Sequence, residues 1–198
     1  MFTEPKGVLR MSIQRHLGWA AVLSILAGCS SMAHMPQAIK LDPGARIVLL
    51  PTINNTETPL AGERMDELAS SLLPVLGLPA VLRPPAEDSS HMPEGSPHDR
   101  WHQEQALAWA QQQHARYALA ISLLEWRYKV GLDGEPAVGM SVTLLDPSTG
   151  QVLWSGSVAR SGWGRQAVSA LALDELHSLL RHALSVQPAT LPAKPARS

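Results

Sequence analysis

His98 and His102 stand four residues apart, a spacing that sets two imidazoles on one face of a helix, as metal ligands often are. They lie where a proline-rich stretch enters a helical pattern, with no Asp or Glu at a ligand spacing, so a solvated helix start is the simpler reading. His177 and His182 are five apart and do not share a face. Asp66-Glu67 and Asp174-Glu175 are adjacent carboxylates that acid–base chemistry could use, yet each pair falls within a helical pattern and reads as solvated. Asn54-Asn55-Thr56 matches a glycosylation sequon, which reads as an incidental match. The sequence has no Walker A loop, GxGxxG, GxSxG, HExxH or paired CxxC. No nucleophile, base and orienting group can be assembled, so the chain is expected to be a non-enzyme without metal or cofactor.

The remaining reactive side chain is Cys29, the only cysteine. One thiol cannot form an internal disulfide or a CxxC pair, which leaves an inert buried thiol, a nucleophile or a processing site. Its surroundings favour processing. Arg15 and His16 precede the apolar run Leu17–Leu26, too short to span a bilayer, and the run ends in Leu26-Ala27-Gly28-Cys29. That tetrapeptide resembles a bacterial lipobox, in which the cysteine is joined to diacylglycerol and becomes the first mature residue. Residues 1–28 are therefore expected to be a lipoprotein signal peptide, starting at Met1 or at Met11. Each buried acyl methylene contributes about 0.8 kcal/mol and a single chain binds only marginally. A cysteine carrying two or three chains, palmitate among them, would hold the protein firmly on a membrane. Ser30 follows Cys29, where an aspartate would resemble an inner-membrane retention signal, so the expected location is the outer membrane, on its periplasmic face.

Those residues must be set in elements. Residues 29–44, rich in Ser, Met and Pro, read as a tether, and 187–198, with Pro188, Pro192 and Pro195, as a disordered tail. Between them, 45–186 reads as a single α/β domain. "ARIVLLPT" reads as a buried strand. Thr58 is then an expected N-cap and Pro59 the first residue of a helix carrying Leu60, Met65, Leu68, Leu72 and Leu73 on one face, stopped at Gly77. "PAVLR" is a second strand, and Asp99 an expected cap for a helix to about His114. Tyr117–Val130, Ala137–Leu145 and Gln151–Ala159 form an antiparallel meander with "DPSTG" as a hairpin turn. An amphipathic helix with Val168, Leu171, Leu176, Leu179 and Leu180 closes the domain. The expected class is α/β, a mixed sheet with helices packed on it in the order β-α-β-α-β-β-β-α. Residues 1–28 hold Lys6, Arg10, Arg15 and Glu4, so the chain from Cys29 carries 13 Lys and Arg against 16 Asp and Glu, a net of −3. That argues against nucleic acid, which needs a clustered basic surface, and permits a cationic ligand. Five of the six tryptophans lie beyond Cys29, and most are expected in packing.

Two stretches carry a family likeness: "VLLPTINNTETPLAGERMDELASSLLPVLGL", and the meander from "YALAISLLEWRYKVGLDG" through "GQVLWSGSVARSGWG" with its closing helix. With "LLP", then "NNTETPLAGER" leading into a helix, and "GQVLWSG", the chain resembles the PelC family over about residues 45–186. These are outer-membrane lipoproteins of Pel exopolysaccharide export, and their core is similar to the curli secretion lipoprotein and to lipoprotein activators of penicillin-binding proteins. The resemblance implies a homo-oligomeric ring, about a dodecamer, acting as a collar between the periplasm and an outer-membrane porin that carries a cationic polysaccharide. It also implies a membrane-facing tryptophan, best matched by Trp163 between two glycines, against a buried loop tryptophan as the plain reading. Trp154, in strand alternation, is expected in the core. Arg127, Lys129, Asp133 and Glu135 gather near a hairpin tip, where they would line a pore or form a solvated turn; Asp133 is the best match to a pore acid. Two other classes compete: a monomeric periplasmic lipoprotein that activates a cell-wall synthase, and an enzyme whose site the motifs do not expose.

Overall fold

The computed structural model describes residues 32–34, 36–42, 44–78, 81–85, 98–131 and 134–186. The chain divides into Met1–Ser30 and Ser31–Ser198, and every described residue belongs to the second unit. Cys29, Asp133 and the expected tail lie outside the described residues. Strand β3 (Ile47–Leu49) is wholly buried, and its alternation serves two cores. Ile47 and Leu49 join the larger core with Leu119, Ile121 and Leu123. Val48 and Leu50 join a smaller one on the opposite face with Ala118. The apolar run therefore reads as a strand covered on both sides.

Helix α1 (Ala61–Val75) and helix α3 (Val168–Ala183) pack side by side on the larger core, through Met65, Ala69, Leu72 and Leu73 and through Leu171, Leu176, Leu179 and Leu180. Helix α2 (His98–Gln112) covers the other face, where Ala106 and Ala110 let it approach. The meander of β6 (Tyr117–Tyr128), β7 (Pro136–Leu145) and β8 (Val152–Ser161) pairs antiparallel, as expected. A bulge between Leu123 and Glu125 leaves Leu124 exposed. Gly77, in the left-handed region at φ 83°, ends α1: its N–H bonds Pro74 O at 3.0 Å and Leu78 N–H bonds Leu73 O at 3.2 Å. That pair is a Schellman closure.

Several expectations change. Residues 29–44 are not wholly a tether: β1 (Met32–His34) pairs antiparallel with β8 at the sheet edge. Strand β2 (Ile39–Leu41) pairs in parallel with β9 (Leu184–Val186), which follows α3 directly. Leu41 and Leu184 bury there, which gives the segment an apolar reason to dock. Two further short strands are β4 (Ile53–Asn54), on β6, and β5 (Val81–Leu82), on β3, both parallel. The main sheet thus runs β1-β8-β7-β6-β3-β5. Thr58 is not the N-cap of α1: its hydroxyl donates to Trp126 O at 2.5 Å, and Leu60 holds the cap position at φ 58° with no side-chain cap. Asp99 lies inside the first turn of α2, and its Oδ2 accepts from Asn54 N–H at 2.8 Å.

Candidate functional site

The carboxyl end of β6 and the end of β8 bring an apolar group to one edge of the domain. Tyr128 and Pro136 are register partners, and Gly162 N–H donates to Pro136 O at 2.8 Å, so the three strand ends lie together. Two residues beyond Tyr128, Val130 is fully exposed; one residue beyond Gly162, Trp163 is 81% exposed. Trp163 is held outward by its own loop. Its N–H donates to Gln166 Oε1 at 3.3 Å, and Gln166 N–H donates to Trp163 O at 3.1 Å. Arg165 takes the left-handed region at φ 71° to close that loop. Tyr128 is half exposed, and its hydroxyl accepts from Val168 N–H at 3.1 Å, which ties the first turn of α3 to the same edge. Trp154, by contrast, is 3% exposed in the larger core, and its indole N–H donates to Pro36 O at 3.4 Å.

Of the charged residues expected at the hairpin tip, Lys129 and Glu135 meet through their backbones, and Asp133 lies outside the described residues. Arg127 turns to Glu125 on its own strand, at 2.8 Å, beside the Leu124 bulge. Glu135 is half-buried, and its carbonyl accepts Lys129 N–H at 2.7 Å. Among the described residues no group of three His, Cys, Asp or Glu could hold a metal, and no helix is long and apolar enough to cross a membrane. Asn54 does not offer its amide: Nδ2 donates to Thr58 O at 2.9 Å and Oδ1 accepts from Thr56.

Two carboxylates expected in solvent are not there. Glu175 is 5% exposed and meets Arg160 at 2.6 Å. Asp66 is half-buried, and its Oδ1 accepts both Thr52 N–H, at 3.0 Å, and Thr52 Oγ1–H, at 2.6 Å. Burial pushes the Asp66 carboxyl up, against the lowering effect of those two bonds and of Arg83. The spacing carried a signal for Glu175, which stands four residues from both Leu171 and Leu179 on the apolar face. Asp146 has the opposite balance: the hydrogen bonds of Ser148 and the Arg116 guanidinium hold it below the usual carboxylate range.

Fold and edge together define the class, a mixed α/β domain whose sheet presents an exposed aromatic corner. No protein-family model and no curated protein sequence matches the chain. Solved structures do. The PelC dodecamer from Paraburkholderia phytofirmans is 33% identical, over 78% of this chain and 99% of its own, with TM-score 0.64. A single-substitution variant of that dodecamer is 32% identical, over 78% and 98%, with TM-score 0.65. Lipoprotein GNA1162 of Neisseria meningitidis is 22% identical over 69% and 96%, with TM-score 0.49. The chain belongs to the PelC family.

Proposed function

We propose that this protein is a non-enzymatic outer-membrane lipoprotein that assembles into a ring of about twelve subunits. The ring serves as a collar that guides a cationic Pel-like exopolysaccharide to an outer-membrane porin. Likeness to a PelC dodecamer over nearly all of that protein's length supports the ring. The observation that carries the orientation is the direction of β1. It runs antiparallel to β8 with Met32 opposite Ala159, so the N-terminal end of β1 lies at the end of β8 that leads to Trp163. Two residues, Ser30 and Ser31, separate Met32 from the proposed acyl anchor at Cys29, and the three steps from one to the other span at most about 10 Å. Anchor and indole then face one lipid surface. Trp suits the headgroup region because its ring is apolar and its N–H meets water, and Tyr128 and Val130 widen the same contact. The net of −3 per subunit from Cys29 onward multiplies around a ring and favours passage of a cation. Asp133, Glu135 and Arg127 are proposed to line the pore.

Replacement Cys29→Ala tests the anchor. The variant is expected to lose label from palmitate, to leave the outer-membrane fraction and to stop polymer export. Retention of both label and fractionation would refute it.

A further inference from the structure

Among the described residues, the basic side chains near the edge where β6 and β8 end mostly face a carboxylate. Arg127 meets Glu125 at 2.8 Å, and Arg160 meets Glu175 at 2.6 Å. Lys129 stands across the hairpin from Glu135, and its N–H donates to Glu135 O, so an opposite charge lies beside its ammonium. Arg165 differs from these. It is exposed and has no ion-pair partner among the described residues. The first turn of α3, which follows it, carries no acidic residue to offset its charge.

The backbone of Arg165 is a second observation. Gln166 N–H donates to Trp163 O at 3.1 Å, which closes a four-residue turn with Gly164 and Arg165 at its tip. Arg165 holds the third position of that turn at φ 71°, in the left-handed region where such a turn usually places glycine or asparagine. A Cβ strains that conformation. Strain of this kind persists only where the surrounding structure holds it, and it gathers at functional positions. Here it sets a guanidinium two residues from an indole that is 81% exposed.

The two side chains fit adjacent layers of one surface. An indole favours the boundary between headgroups and acyl chains. A guanidinium presents a fork of donors that matches the oxygens of a phosphate, and lipid phosphates lie just outside that boundary. We infer that Arg165 docks on the phosphates of anionic lipid headgroups while Trp163 seats beneath them, so that this corner selects a negatively charged membrane surface. The inference rests on the lipid-facing corner proposed above and names the lipid chemistry that the corner takes.

Ser31–Ser198 holds every described strand and helix, so this unit serves the test without acyl chains that would mask the change. Flotation with phosphatidylcholine vesicles is compared with flotation on vesicles in which about one-third of the lipid is phosphatidylglycerol. The mixed vesicles are expected to bind it more tightly, by a margin that shrinks as salt rises. Arg165→Gly is expected to lower affinity for the mixed vesicles about fivefold, the effect of one cation near an anionic surface. Its binding to phosphatidylcholine should not change, and its unfolding midpoint should hold or rise as the strain is relieved. Arg165→Lys keeps the charge and is expected to retain most of the preference. Unchanged affinity for the mixed vesicles in Arg165→Gly, an equal fall on both lipids, or displacement by inorganic phosphate at constant ionic strength overturns the inference. If Arg165→Gly lowers the midpoint, Arg165→Asn decides alone, because asparagine tolerates the left-handed region without charge; a preference kept there overturns it as well. Binding indifferent to Trp163→Ala on both vesicles would refute the lipid-facing corner itself. Dependence on Trp163 with indifference to Arg165 overturns this inference alone.

Discussion

Replacing Trp163 with alanine separates membrane seating from folding. A tryptophan side chain offers roughly 200 Å² for burial. At 81% exposure, about 160 Å² of it is free to meet a partner, or about 4 kcal/mol at 25 cal/mol per Å². The headgroup region removes only part of that area from water, so about 2 kcal/mol per subunit is at stake, a factor of about 30 in partitioning. The assay is flotation with phosphatidylethanolamine–phosphatidylglycerol vesicles, using the chain from Ser31 onward so that acyl chains do not mask the change. Because the side chain makes little contact with the fold, the unfolding midpoint should stay where it was. Trp154→Ala is the control, 3% exposed and expected to cost about 3–5 kcal/mol of stability. Vesicle affinity unchanged in Trp163→Ala, or a midpoint lowered by several degrees, would refute the reasoning.

Other substitutions test the packing and the charges. Gly156→Ala should destabilise by about 1–3 kcal/mol in urea titration, because a Cβ there would stand 2.8 Å from Trp154 Cζ2 and collide with Cη2 of a ring that is itself buried. Arg160→Ala strips the partner from a carboxylate that is 5% exposed; with Arg160 half in water, the expected cost is about 2 kcal/mol, and adding Glu175→Leu should recover most of it. For Asp66, a raised carboxyl binds more protons folded than unfolded, so its contribution to stability falls as pH rises from about 4 through the folded value. Asp66→Asn should therefore gain on the parent across that window in thermal melts, and no gain between pH 4 and 7 would contradict the assignment.

The meander and its closing helix were legible because their periods are clean and their turns chemically explicit: Asp146 caps its own turn through Ser148, and Gly150 takes φ 70°. The same holds for the end of α1, where glycine supplies the left-handed residue that a Schellman closure needs. The start of α1 was not legible. Thr58 and Pro59 form a good capping pair locally, but the threonine hydroxyl finds a better-placed carbonyl on β6, sixty-eight residues away, and the helix begins later. Strands β1 and β2 escaped notice for a similar reason. Three residues have no period to read, and their partners, β8 and β9, are far along the chain. Glu175 and Asp66 looked solvated as adjacent acidic pairs, although one member of each turns inward and the other outward. The exposed Trp163 rested on its flanking glycines; the loop bonds to Gln166 that hold it out could not be foreseen from residue types.

The central claim is the ring, and native mass of the acylated protein in mild detergent tests it most directly. A species near twelve subunit masses at micromolar concentration, persisting on dilution, is the result the ring reading predicts. A monomer under the same conditions would contradict it and favour an activator that works alone.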